Sequence, residues 1–122
     1  SRHWRGRASV EGEGSIVGAL AALVTGLSLA VAPPHWKATD HPAWFREALC
    51  IHAHEGAWTA NTGNGYYGGF QFLLGTWQSV GGTSLPSLAS PREQLYRAWL
   101  VYRRDGNSWR EWGTAHYCVG VR

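Results

Sequence analysis

The sequence is poor in several features that commonly reveal a function. Among its 122 residues there is one lysine, Lys37, and the net charge is only +3. There is also no run of basic residues, so the composition excludes a typical nucleic-acid-binding protein, which needs a concentrated basic surface. We find no internal repeat and no low-complexity tract, and the length allows one domain with a modest core.

Cysteine is scarce as well, since the chain has only Cys50 and Cys118. In an exported protein such a pair predicts a disulfide, whereas in a cytosolic protein it predicts two buried thiols. A disulfide would close a loop of about 70 residues and, by the chain-entropy argument, stabilise the fold by about 4 kcal/mol. The compartment decides between these alternatives.

Acidic residues are few, and residues 59–77 contain none. Of the eight acids, Glu11 and Glu13 lie near the start of the chain. All but one of the others are expected to cap helices, to face solvent or to form surface ion pairs. The exception is Glu55, which is therefore the candidate acid. The five acids with expected structural roles are Asp40, Glu47, Glu93, Asp105 and Glu111.

Residues 54–77 are rich in glycine and aromatic side chains, as is the whole chain with its 16 Gly and eight Trp. Asn64-Gly65 predicts a two-residue hairpin turn, because a type I′ turn needs positive φ at both central positions. A lone carboxylate beside such a hairpin suits a cleft that cleaves sugars. Glycoside hydrolases commonly need a second carboxylate, so a mechanism in which the sugar supplies its own nucleophile fits this segment better.

The N-terminal residues bear on the compartment. Arg2, Arg5 and Arg7 precede an uncharged apolar stretch at residues 16–32, which ends in the small-x-small pattern Ala30-Val31-Ala32. This order predicts a secretory signal peptide over residues 1–32, and an uncleaved membrane anchor is the competing interpretation. A buried core helix is a third. Either of the first two places the remainder outside the cytoplasm, secreted or associated with the cell wall, with a linker at residues 33–41 and a domain at residues 42–122.

Helix signals frame the glycine-rich segment. Asp40 or His41 can cap a helix that begins at Pro42 and ends before Gly56, which puts Glu55 in its last turn. Spacings of four, three and four place Trp44, Ala48, Ile51 and Glu55 on one face of this helix. A short helix is predicted over residues 74–80, and the run Ser90-Pro91-Arg92-Glu93 is a capping box that opens another. The predicted fold class is mainly α (α+β), with a short β-hairpin beside the helix that carries Glu55.

Other chemistries receive less support from the sequence. His52, His54 and Glu55 offer three metal-ligand side chains, but zinc-binding helices favour an i,i+4 spacing that these residues lack. A Ser/His/Asp triad has no nucleophile elbow here. Cys50 could act as a nucleophile only in a chain that is not exported. We therefore expect no metal and no other cofactor.

The segment resembles the catalytic domain of the resuscitation-promoting factors and the wider lytic transglycosylases. The resemblance rests on NTGNGYYGGFQF at residues 61–72, on GTW at residues 75–77 and on SPREQ at residues 90–94, together with a late Trp before Cys118. It extends over residues 42–118. It implies a small lysozyme-like fold.

The resemblance also implies a reaction, namely cleavage of peptidoglycan between N-acetylmuramic acid and N-acetylglucosamine with formation of 1,6-anhydro ends. Glu55 would be both the acid and the base of this reaction. The expected partners are peptidoglycan glycan strands and a second cell-wall hydrolase, the chain is expected to be a monomer, and membrane contact is expected only through residues 16–32. The residues expected to bind the glycan are Tyr66, Gln71, Thr76, Trp77, Trp58 and Asn61; core packing is the alternative for Tyr66 and Trp77.

One spacing differs from the resuscitation-promoting factors. In that family the glutamate directly follows the cysteine and lies five residues before the Trp, a register that would put Ala53 at the catalytic position. Here Glu55 lies five residues after Cys50 and three before Trp58, which resembles the E-x-x-aromatic signature of the wider lytic transglycosylases. A hydrolase of the same bond and a non-catalytic glycan-binding module are the alternative functions.

Overall fold

The computed structural model describes residues 31–120, and these form a mainly α structure with one small hairpin, as predicted. Among these residues no helix has both the length and the apolar character that crossing a membrane requires. The predicted signal peptide or anchor lies outside the described residues except for Val31 and Ala32. The helices are α1 (Pro42–Glu55), α2 (Leu74–Ser79) and α3 (Pro91–Arg104); the strands are β1 (Tyr66–Tyr67) and β2 (Phe72–Leu73); short 3-10 helices occur at Ala38–Asp40, Pro86–Leu88 and Gly113–Tyr117.

Helix α1 is anchored by the apolar face that the sequence pattern predicts. Trp44, Ala48 and Ile51 follow one another at spacings of four and three, and all three are buried, with Ile51 fully inaccessible. Full burial of a side chain such as Ile51 stabilises the fold by roughly 1.5–3 kcal/mol. Because Glu55 continues the same face one turn later, the packing of α1 fixes the direction of the last turn. The buried aromatic residues of the core are Trp36, Trp44, Phe70, Phe72, Trp77, Trp109 and Trp112.

Residues 33–41, predicted to be a linker, are largely exposed, but Trp36 of this segment packs into the core of the domain. Trp36 is buried and makes edge-to-face contacts with Trp44 and Tyr96 at centroid separations of 6.2 and 5.2 Å. Arg92 at the start of α3 donates hydrogen bonds to the carbonyls of Pro33 and Trp36. The difference has a physical reason: a tryptophan in the segment adds apolar area that is best removed from water, which the linker prediction did not weigh.

Helix α3 begins as predicted, but its capping box is only half formed. The Ser90 hydroxyl accepts a hydrogen bond from the backbone N–H of Glu93 at 3.0 Å, with Pro91 in the first turn. The Glu93 carboxylate does not return to Ser90, because it is buried and binds the guanidinium of Arg97 at 2.7 Å and the backbone N–H of Ala32. Helix α1, by contrast, has no side-chain cap from Asp40 or His41.

The hairpin turns at a different place from the one predicted. Tyr66 pairs with Leu73 and Tyr67 with Phe72, so the connection runs from Gly68 to Gln71. Two residues of this turn have positive φ, Gly68 at 78° and Gln71 at 48°. The earlier Asn64-Gly65 is a separate bend in which the Asn64 side chain accepts from the N–H of Tyr66 at 3.0 Å. Of this pair only Gly65 has positive φ, so the type I′ turn does not form.

Asp105, which follows α3, was expected to be a surface residue but is buried at 7% exposure. One of its carboxylate oxygens accepts from Arg110 at 3.2 Å, and Arg104 joins the group through Glu111 at 3.2 Å. A hydrogen bond with Asp105, then burial, raises the pKa of the Glu111 carboxyl above its usual range. The folded state is therefore less stable with Glu111 ionised than with Glu111 protonated.

This cluster gives stability a defined pH dependence. The pKa of Glu111 is higher in the folded than in the unfolded chain. The contribution of Glu111 to the free energy of unfolding is therefore complete at pH values below the pKa of the unfolded chain, and it is lost as the pH rises through the pKa of the folded chain. We expect Glu111→Gln to remove that part of the pH dependence and to be at least as stable as wild type at neutral pH. Thermal unfolding midpoints of both proteins from about pH 4 to 8 test this; parallel curves would contradict it.

Candidate active site

Glu55 is the last residue of α1, half-buried, and is followed by Gly56 at the helix end. One carboxylate oxygen, Oε2, accepts a hydrogen bond from the Thr114 hydroxyl at 2.6 Å. Thr114 belongs to the 3-10 helix Gly113–Tyr117 near the other end of the domain sequence. This hydrogen bond orients the carboxyl group. It engages Oε2, and no hydrogen bond to Oε1 is found among residues 31–120.

The disulfide between Cys50 and Cys118 ties that 3-10 helix to α1, with Cα atoms 5.7 Å apart. The bond therefore joins the two elements that carry Glu55 and Thr114. Ile51 directly follows Cys50 in the sequence, is fully buried and has no acidic group. Glu55 lies four residues after Ile51, which is about 6 Å along the helix axis by the rise of an α-helix.

Three side chains hold the hairpin turn against the end of α1. His52 of α1 donates from Nδ1 to the carbonyl of Gly69 at 2.9 Å, and Gln94 of α3 accepts from the N–H of Gly69 at 2.8 Å. The indole N–H of Trp112 donates to the carbonyl of Phe70 at 2.9 Å. The backbone approaches so closely here that a Cβ on Gly69 would lie 2.7 Å from the His52 ring nitrogen. These contacts fix the turn at Gly69, where the close approach of His52 leaves room only for glycine.

Several residues predicted to bind the glycan lie around this turn. The Gln71 amide donates to the carbonyl of Gly68 at 2.9 Å, and its nitrogen is 3.5 Å from the position a Cβ on Gly56 would take, next to Glu55. Trp58 stacks on His52 with ring centroids 3.7 Å apart. Tyr66 is exposed at 44%.

Asn61, Thr76 and Trp77 occupy different surroundings. Asn61 is exposed and bridges to Tyr67 beside the hairpin, and Thr76 is half-buried in α2. Trp77 is only 1% exposed, and its indole N–H donates to the carbonyl of Thr83 at 3.1 Å. Its ring lies in the core, which favours packing over glycan contact among the alternatives for this residue.

The remaining acids of the described chain are mostly engaged elsewhere. Glu47 accepts from the indole of Trp109 at 2.9 Å, while Glu93, Asp105 and Glu111 pair with arginines as described above. Potential metal ligands also come together within residues 31–120, at Cys50, His54 and Cys118. Both sulfurs of that group are bonded to each other, so they are not available as thiolates.

Three residues of the site were missed by sequence reasoning. Thr114 carried no motif of its own, and only its closeness to Cys118 in the sequence could have placed it near α1. His52 was considered only as a metal ligand. Gln94 was part of the SPREQ run, but its amide also donates to the carbonyls of Trp58 and Ala89 at 2.9 Å, contacts that no local pattern indicates.

Comparison with known proteins identifies the class of protein. The family model for the transglycosylase-like domain matches residues 38–115. The chain belongs to this family, and its fold and relatives make it a lysozyme-like domain of the resuscitation-promoting factor type.

Two relatives illustrate the similarity. The chain is 41% identical over 110 residues to the resuscitation-promoting factor Rpf of Micrococcus luteus, covering 84% of this chain and 47% of that protein. It is 42% identical over 97 residues to the resuscitation-promoting factor RpfC of Mycobacterium tuberculosis, covering 78% of this chain and 66% of the relative. The chain thus spans about half the length of the first and two thirds of the second.

Proposed function

We propose that this domain is an extracytoplasmic peptidoglycan lytic transglycosylase that uses Glu55 as its single acid and base. The observation that carries the proposal is the position of Glu55: a half-buried carboxyl at the end of a packed helix, bound by Thr114 and adjacent to the glycine-rich turn. The match to the transglycosylase-like family supports cleavage of a glycosidic bond, and the similarity to the resuscitation-promoting factors is the basis for proposing cell-wall glycan as the substrate class.

The reaction follows from one carboxyl group acting twice. Protonated Glu55 donates its proton to the glycosidic oxygen as the bond from that oxygen to C1 of the muramic sugar breaks. The carboxylate then accepts the proton of the muramic 6-hydroxyl, whose oxygen closes onto C1 to give the anhydro ring. No second carboxylate is needed. Because Thr114 donates to Oε2, Oε1 is the oxygen assigned to carry the transferred proton.

The surrounding residues would position the glycan. The exposed ring of Tyr66 offers an apolar face, and the Gln71 amide next to Gly56 offers a hydrogen-bonding group close to the acid. Trp58, Asn61 and Thr76 lie on or near the same hairpin. We also propose that the chain acts as a monomer on glycan strands, with a second cell-wall hydrolase as a partner.

A second candidate function is a glycan-binding module without turnover. It is favoured by one observation, the fully buried Ile51 at the position that directly follows the paired cysteine. In this alternative Glu55 would be only a structural acceptor for Thr114. A hydrolase that uses water in place of the 6-hydroxyl is the third alternative.

Digestion of purified peptidoglycan separates the three functions. Mass spectrometry of the soluble products distinguishes anhydro-muropeptides, which lack one water, from reducing muropeptides. Anhydro ends are the expected result. Reducing ends would replace the proposal by a hydrolase, and intact glycan that sediments together with folded protein would replace it by a binding module.

The contact between Thr114 and Glu55 leads to a second test of the same site. Thr114→Val keeps the shape but removes the hydroxyl, which costs a hydrogen bond to a group that becomes charged, about 1.5–3 kcal/mol. We expect kcat to fall by about 10- to 100-fold, with little change in KM because Thr114 is bound to Glu55 and not assigned to the glycan. Steady-state turnover of soluble glycan fragments measures both constants.

The conservative variant is the control. Thr114→Ser keeps the hydroxyl and should restore most of the rate. Wild-type rates in both variants would show that the contact does not contribute to turnover. A loss of rate in both variants together with lowered thermal stability would assign Thr114 a purely structural role.

A further inference from the structure

A concave site lies between the 3-10 helix Gly113–Tyr117 and Glu47 of α1. It has a volume of about 460 Å³, which is within the usual size range of ligand pockets. Tyr102, Trp109 and Trp112 contribute aromatic rings to its walls, and Glu47 supplies a carboxylate. The lining residues that matter here are Glu47, Tyr102, Asn107, Trp109, Arg110 and His116.

The carboxylate of Glu47 is bound only through neutral donors among its described contacts. The indole N–H of Trp109 donates to one oxygen at 2.9 Å, and the backbone N–H of Gly120 approaches the other at 3.4 Å. Burial, followed by the negative charge of Glu47, raises the pKa of the Tyr102 hydroxyl above its usual range. Tyr102 therefore stays neutral, and the negative charge at this end of the cavity comes from Glu47.

The two other charged or titratable groups of the lining are already engaged. Arg110 is largely exposed and pairs with Asp105 at 3.2 Å. His116 donates from Nδ1 to the carbonyl of Gly113 at 2.7 Å. The half-buried carboxylate of Glu47, beside the aromatic rings, is thus the charged group of the cavity that has no charged partner among its described contacts. The complementary ligand is a cation with an aliphatic stem.

We infer that this cavity binds the primary ammonium group of an amine-bearing residue in a cell-wall stem peptide. The inference rests on the proposed function, since it names a further part of the same substrate. Glu47 would pair with the ammonium group, the hydroxyl of Tyr102 and the side-chain oxygen of Asn107 would accept its other hydrogens, and the rings would cover the stem.

Distance along α1 agrees with such a ligand. Glu47 precedes Glu55 by eight residues, which is about 12 Å along a helix axis. An extended peptide covers about 3.3–3.6 Å per residue, so about four residues would reach from a sugar at Glu55 to the cavity. Gly113 and Ala115, which flank Thr114, line the cavity, so the two sites share one element.

The test measures binding without turnover. The full chain is titrated with Nα-acetyl-lysine amide while the indole N–H resonance of Trp109 is followed by NMR, and the Nε-acetylated form of the same compound serves as the uncharged control. We expect a saturable shift with the free amine only. In Glu47→Gln, which keeps the acceptor for Trp109 but removes the charge, affinity should fall about tenfold, the effect of one charge-assisted contact.

A control variant keeps the result interpretable. Glu111→Gln removes one negative charge away from the cavity lining and should bind like wild type. Equal binding of the acetylated compound, equal binding by Glu47→Gln, or no saturable shift in wild type would each overturn the inference. Absence of glycan cleavage together with amine binding at Glu47 would instead count against the proposed reaction and leave the cavity assignment in place.

Discussion

Glu55→Gln is expected to abolish the release of anhydro-muropeptides from peptidoglycan while leaving the domain folded. The amide cannot exchange the proton that the reaction needs, yet its oxygen can still accept the hydrogen bond from Thr114 that is 2.6 Å long in the structure. General acid–base catalysis by one side chain contributes about 10²- to 10⁴-fold, so the rate should fall by at least that amount. Product formation over time, read by mass spectrometry, measures the effect.

Glu111→Gln is the matched control for this variant, because it makes the same chemical change at a residue outside the site. It should retain the wild-type rate. Retention of activity by Glu55→Gln would remove Glu55 from its proposed role. Equal binding of glycan by wild type and Glu55→Gln without products from either would favour the binding module that Ile51 suggests.

Removal of the disulfide should have the largest effect on stability. Cys50 and Cys118 are separated by 68 residues in sequence, and the closed loop contains the hairpin, α2 and α3. Constraint of the unfolded chain by a loop of this size is worth about 4 kcal/mol. For a domain of this size the double replacement by alanine should lower the midpoint of thermal unfolding by on the order of 20 °C.

Urea denaturation of the double variant, compared with wild type before and after reduction, measures the free energy of unfolding directly. The reduced wild type and the variant should agree within error, since both lack the same constraint. If the free energy of unfolding fell by less than about 1 kcal/mol, the unfolded chain would already be compact without the disulfide. Activity measured where both proteins are folded reports separately on the geometry between Glu55 and Thr114.

Much of the fold followed from local signals. The α1 helix depends on hydrophobic periodicity and ends at Gly56, and the start of α3 depends on the Ser90 cap with Pro91 in the first turn; these signals act over a few residues. The hairpin turn was misplaced because its shape depends on distant groups. Gln94 binds the backbone of Gly69 across 25 residues, and this contact favours a turn at Gly68 over the local Asn-Gly signal.

The candidate site likewise contains residues that local sequence signals predict and residues that depend on distant contacts. Glu55 could be selected because acids are scarce and because helix periodicity places it at the end of a packed face. Thr114 could not, since its contact with Glu55 joins residues 59 apart in sequence and depends on the path of the chain back to α1. The burial of Asp105 likewise required the packing of residues 105–112, which no short motif encodes.

The packing of Ala32 bears on the processing site that the sequence predicts. Ala32 is 3% exposed, and its backbone N–H binds the buried carboxylate of Glu93. The predicted Ala30-Val31-Ala32 processing signal therefore ends at a residue that is the first buried one within residues 31–120. A peptidase that cut after Ala32 would leave Glu93 with one donor fewer, so secretion and folding would compete for the same peptide unit, and the order of the two events would determine which N-terminus the mature domain carries.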